Sequence, residues 1–238
     1  MSKDLITKNF GSGGRPDEPT KWSRRNTTQT WGEGAVVDTT QCVIEFSIPK
    51  NITAPVLFYY KLTEFYQNHR RYAKSFSIDQ LSGAAISADS LESGDCQPLT
   101  TAMDGDVKKP YYPCGLAANS FFNDTFESPV QLDPTFAKPG EDNRTYTMND
   151  KNGISWDSDK DLYHPTKYQW SDVLVPPNWQ KRYPNGYTEQ NHPNLREDEH
   201  FQVWMRLAGL PTFSKLYMRN DNEDMAAGTY RINIFHSM

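Results

Sequence analysis

The sequence has no apolar run long enough to cross a membrane. The longest, residues 54–60, reaches about a third of the roughly 20 residues a spanning helix needs. Its start, Met1-Ser2-Lys3-Asp4, lacks the apolar stretch of a secretory signal, which read literally points to the cytosol. Cationic excess is missing too: 25 basic against 30 acidic residues leave a net charge of −5, so no global field favours nucleic acid. The five histidines, His69, His164, His192, His200 and His236, form no pair at helical i, i+4 spacing and no Cys-x-x-Cys exists, which argues against zinc. No Gly-x-Ser-x-Gly elbow and no repeat of 20 to 50 residues occurs. Apolar residues are only 36%, below the roughly 45–50% of an average domain. What is present instead is aromatic: 13% Phe, Trp and Tyr, with six tryptophans, enough burial to oppose chain entropy and fold.

Four acceptor patterns for N-glycosylation stand against the cytosolic reading, at Asn26, Asn51, Asn123 and Asn143. The cysteines add to them. Cys96 and Cys114 bracket a turn-rich span that a disulfide would staple by roughly 3 kcal/mol, leaving Cys42 unpaired or with a lost partner. Three free thiols in a reducing compartment fit these residues as well. The sequons tilt the balance toward a luminal fragment cut from its membrane segments.

Residues 1–38 are polar, contain Gly11-Ser12-Gly13-Gly14 and show no period, so they read as a flexible arm, partly appended sequence; residues 39–238 read as one domain. From Cys42 the pattern changes. Cys42, Ile44, Phe46 and Ile48 alternate with polar or smaller neighbours, as do Val56, Phe58, Tyr60 and Leu62, the signature of half-buried strands. Thr63 caps an expected short helix over 63–75. Phe201, Val203, Met205 and Leu207 suggest a third strand, Pro211 opens a helix through Arg219, and Tyr230, Ile232 and Ile234 form a last strand. Residues 77–200, rich in Pro, Asn and Asp, read as long connections with small helices. Strands this far apart favour a mainly β, antiparallel, sandwich-like fold with large loop excursions.

Catalytic signals are weak. Asp157, Asp159 and Asp161 occupy the first, third and fifth positions of a calcium loop, but Leu162 and Tyr168 stand where that loop needs Gly and Glu, so a solvated turn is the better reading. Cys114 has no sequence-level base, and Glu197, Asp198 and Glu199 read as a solvated acidic run rather than a glycosidase pair. His69, Arg70, Arg71 and Lys74 make a basic cluster suited to lipid headgroups, an acidic partner loop or local ion pairs. The tryptophans suit either a core or a sugar-stacking platform. No cofactor is implied.

Whole strings carry more than spacings. The segments 42–49 (CVIEFSIP), 54–75 (APVLFYYKLTEFYQNHRRYAKS), 96–99 (CQPL), 109–126 (KPYYPCGLAANSFFNDTF), 153–161 (GISWDSDKD), 177–191 (PNWQKRYPNGYTEQN) and 201–220 (FQVWMRLAGLPTFSKLYMRN) closely resemble the luminal domain of the ligand-effect-modulator-three / cell-division-control-protein-fifty family. The resemblance spans about residues 39–235 and its wording looks fungal. That family supplies accessory β-subunits of type IV P-type ATPases, the phospholipid flippases.

The resemblance implies a non-catalytic subunit, tethered by two spans that flank this stretch. The domain would face the lumen or exterior, and the partner ATPase would carry the chemistry while this chain supports its stability and its exit from the endoplasmic reticulum. It implies a disulfide between Cys96 and Cys114, a glycan at Asn123, and for Cys42 a partner upstream that residues 1–41 do not contain. Partner contacts are expected from the excursions between 77 and 200, with no residue singled out. Composition alone suggests a different protein, a secreted carbohydrate-binding β-sandwich.

Overall fold

A computed structural model describes residues 20–31, 35–132 and 143–236. The strand alternation at 42–48 belongs to a longer element, β2 (Ala35–Ile48), and the last strand is β10 (Gly228–His236). The two pair antiparallel with Ile44 opposite Ile232 and Phe46 opposite Tyr230, so one face of both strands is apolar. On the far side of β10 lie β6 (Thr125–Phe126) and β7 (Val130–Leu132), and β8 (Asn143–Thr145) extends β7. The opposite edge is β1 (Lys21–Trp31). A second layer pairs β3 (Val56–Leu62) with β9 (Phe213–Asn220). In β3, Val56, Phe58 and Tyr60 face inward while Leu57 and Tyr59 face out, as their alternation dictates. Both layers bury the same core, around Ile48, Met218, Tyr230 and Ile232, which makes the expected sandwich-like arrangement.

Three expectations are corrected. Residues 21–31 and 35–38, read as part of an arm, form β1 and the start of β2, paired antiparallel; their polar sequence reflects strands whose side chains are mostly exposed, so no apolar period marks them. Residues 1–19 and 32–34 of that arm lie outside the described residues. The expected helix over 63–75 contracts to one turn, α1 (Arg70–Ala73), capped by the His69 ring rather than by Thr63. The strand and helix expected over 201–219 are exchanged: α6 (Glu199–Met205) precedes strand β9. The Asp198 carboxylate accepts from Phe201 N at 2.9 Å and caps α6. Lys215, pointing inward from β9, donates to the carbonyls of Val203, Trp204 and Arg206 and closes the helix's other end. Burial, with the nearby Arg206 guanidinium, lowers its pKa to about 8.

The excursion between the layers is folded rather than loose. It holds α2 (Ile78–Leu81), α3 (Ala88–Glu92), the hairpin of β4 (Thr101–Asp104) and β5 (Val107–Pro110), α4 (Leu116–Asn119) and α5 (Asp157–Lys160). These enclose a second core of Tyr112, Tyr163, Trp179, Tyr183, Tyr187 and Phe201. With so little ladder, side chains satisfy the buried backbone. Gln80, fully buried, donates to Tyr111 O at 2.9 Å and accepts from Cys114 N at 2.8 Å. Gln202 donates to the carbonyls of Leu195 and Arg196, while Trp179 and Trp204 donate to those of Ala118 and Ala117. Gly115 sits at φ 96°, where a Cβ would stand 2.1 Å from Ser75 O; only glycine lets α4 start this close to the chain leaving α1.

Candidate functional site

The segment after α4 ties the two cores together. Phe121 packs into the excursion core, its ring centroid 5.5 Å from that of Phe201 and 5.9 Å from Trp179. Its neighbour Phe122 turns to the sheet core and stacks on Tyr60 at 3.9 Å. Adjacent side chains of an extended segment point to opposite sides, so two phenylalanines in succession serve two cores. The next residue, Asn123, is exposed at a cavity of about 760 Å³ between them. Trp179, Tyr183, His200 and Tyr217 supply its aromatic wall, and Asp150, Lys151, Lys181 and Arg182 are among its charged lining.

Each polar group at this wall has a physical setting. Tyr217 accepts from Phe126 N at 3.2 Å, and burial pushes its pKa up to about 12. His200 lies over the Tyr217 ring at 4.3 Å; burial lowers its pKa, against the pull of Asp198, Asp150 and Glu199. Asp124 meets His236 near the end of β10 at 2.6 Å. The acidic run is not a free pair of carboxylates. Asp198 caps α6, and Glu199 accepts from Ile154 N at 2.7 Å and Ser155 N at 3.0 Å while pairing with Lys160 at 2.8 Å. Burial works against the Glu199 charge, but those donors outweigh it and hold its pKa below the ordinary value. Two of the three acids thus have structural work.

The other residues marked from sequence are placed as follows. Cys96 and Cys114 are disulfide-bonded and buried with Leu91 in a small core of their own. Cys42 is free and half-buried in β2, between Arg24 of β1 and Ile234 of β10. Asn26, Asn51, Asn123 and Asn143 are all exposed. Asp157, Asp159 and Asp161 do not converge: α5 turns Asp159 inward onto Arg206 at 2.6 Å and leaves Asp161 near Arg196 at 3.5 Å. Among the described residues no cluster of three or more His, Cys, Asp or Glu could hold a metal. No helix among them is long and apolar enough to cross a membrane. Sequence reasoning missed the cavity's wall. Tyr217 fell in a segment read as helix, and Trp179 and Tyr183 from the 177–191 segment meet His200 of α6 only in the fold.

A model of the LEM3 (ligand-effect modulator 3) family / CDC50 family matches residues 17–237. A phospholipid-transporting ATPase accessory subunit CDC50 of Chaetomium thermophilum is 42% identical over 236 residues, covering 98% of this chain and 57% of the relative. The phospholipid-transporting ATPase accessory subunit LEM3 of Saccharomyces cerevisiae is 41% identical over 196 residues, covering 81% of this chain and 45% of its own. Cell cycle control protein 50A of Mus musculus is 35% identical over 208 residues, covering 82% and 54%. The chain thus spans about half the length of the curated relatives it matches. With nearly its whole length matched by the family model, the chain belongs to the LEM3/CDC50 family.

Proposed function

We propose that this chain is the luminal or extracellular part of a non-catalytic accessory subunit that forms a heterodimer with a phospholipid-transporting P-type ATPase and supports its stability, endoplasmic reticulum exit and lipid transport. The observation that carries the reading is the family match over residues 17–237 together with relatives named as accessory subunits. The engagement of Asp198 and Glu199 as structural acceptors supports a binding role over hydrolysis. Four exposed sequons and the Cys96–Cys114 bond support the side of the membrane, with Asn26, Asn51, Asn123 and Asn143 as glycan carriers along the endoplasmic reticulum, Golgi, endosomal or plasma membrane route. Residues 39–238, with β1 added, act as one unit.

The test is co-expression of the full-length protein with type IV P-type ATPases of its own organism. A tagged copy should bring the ATPase through detergent with lipid-stimulated ATP hydrolysis, and recovery of the folded, glycosylated protein alone refutes the reading. The aromatic cavity beside Asn123 favours one second reading, a carbohydrate-binding module. That reading requires saturable binding of a free glycan that disappears in Trp179→Ala. Without such binding the cavity's nearest sugar is the chain's own.

A further inference from the structure

Away from the cavity, two loops are locked into one exposed knob. Phe65 N donates to Pro211 O at 3.1 Å, Asn68 Nδ2 to Gly209 O at 3.1 Å, and Ala208 N to the Oε1 of fully buried Gln67 at 2.8 Å. The Phe65 ring anchors the base against Trp204, 5.5 Å between centroids. At the other end of the second loop, Arg206 is held by Asp159 and lies 3.4 Å over the exposed Trp156 ring. On this rigid base the side chains that should be buried are presented outward: Tyr66 is 58% exposed and Leu210 70%. A large apolar side chain held in water by a fixed backbone gains nothing for the fold, whereas pre-ordering lowers the cost of binding.

The charge beside the knob selects the occupant. His69 N donates to Tyr66 O and opens α1, which carries Arg70 and Arg71 exposed, with Lys74 following. In a chain with 30 acidic and 25 basic residues, these three cations are gathered beside the knob, exposed and without an ion pair among the described residues. Tyrosine and arginine around a small apolar point are the composition of an interface anchor. Two apolar side chains are too few for the buried face that holds a helix in a bilayer.

We propose that the knob of Tyr66 and Leu210, with Arg70, Arg71 and Lys74, docks an acidic segment on the luminal face of the ATPase subunit. This deepens the accessory-subunit reading and rests on it. The test uses the full-length protein co-purified with its ATPase, comparing wild type, the double variants Arg70→Glu/Arg71→Glu and Arg70→Gln/Arg71→Gln, and Tyr66→Ala. Recovery is normalised to glycosylated, protease-resistant subunit. Charge reversal should cut ATPase recovery roughly tenfold, with smaller losses for the glutamine pair and Tyr66→Ala. A carbodiimide should link Lys74 to a luminal carboxylate of the ATPase. If the reversal fails to fold, the glutamine pair decides. Unchanged recovery in folded variants overturns the proposal while leaving the accessory role intact. Unchanged recovery with lost flotation on phosphatidylserine-containing vesicles overturns it in favour of a bilayer contact. Wild type that brings no ATPase removes both readings.

Discussion

The sheet half and the excursion half of this molecule bury cores of similar size by opposite means. In the sheet half, β2, β3, β9 and β10 satisfy their backbone by pairing, so their inward side chains are free to be plain hydrophobes such as Ile48, Met218 and Ile232. In the excursion half α2, α3, α4 and α5 are each about one turn long, and the same obligation passes to side chains. Its buried residues therefore carry a polar end: Trp179 in the core and Trp204 beside it donate to carbonyls, Tyr187 donates to Tyr112 O at 2.7 Å, and Gln80 and Gln202 bridge chain segments. A core can be built with scarcely any ladder, provided that its rings and amides take over the hydrogen bonds.

Alkali should strike both halves at once and give the largest effect. Burial raises Tyr112 in the excursion and Tyr217 in the sheet layer to about 12, and Tyr60, Tyr163 and Tyr187 shift the same way. Raised folded pKa values mean stability present in full below pH 10 and lost as pH climbs toward 12, of order 2–3 kcal/mol for each of the first two. Urea titrations from pH 9 upward should show this fall, with Tyr112→Phe and Tyr217→Phe each flattening part of it; a flat profile contradicts the burial. Next is Trp204→Ala, which removes a buried ring and its bond to Ala117 at an expected cost of about 3–5 kcal/mol. Hydrogen exchange should then open the excursion amides while those of β2 and β10 stay protected. Exchange of all of them together would make the molecule one cooperative unit and end the contrast.

Replacing Cys96 and Cys114 by Ser should cost about 3 kcal/mol, again in the excursion, read from the urea midpoint. Gln80→Ala strands Cys114 N and Tyr111 O and should cost about 1–3 kcal/mol. A conservative Gln80→Glu should recover none of the lost donation to Tyr111. Ile232→Val, a methylene lost from the plain apolar core, should cost only about 1 kcal/mol. If Ile232→Val proved costlier than Gln80→Ala, the polar ends would not be what holds the excursion.

The same contrast explains what could be read in advance. β3 was legible to the residue because one of its faces is wet and the other dry, and the strands around Ile44 and Ile232 announced themselves likewise. Helix α6 was not: Phe201, Gln202, Val203 and Trp204 are all buried, and a helix covered on every side has no apolar stripe, only a chance alternation. Its true signal was Asp198 as a cap. Strand β9 was masked by Lys215, a cation at an inward position because its ammonium is needed by α6. The long strings resembling one family identified the chain, yet the cavity wall stayed hidden because its rings meet only once both cores are closed around Phe121 and Phe122.

In the largest sheet β10 lies between β2 on one side and β6 and β7 on the other, and every other described strand precedes it in the chain. A ribosome therefore delivers the middle of the sheet last. Until residues 228–236 emerge, β2 and β7 have no common neighbour to pair with. Nascent strands in that state are aggregation-prone, so the yield of folded protein depends on the factors that shield β2 and β7 until residues 228–236 arrive.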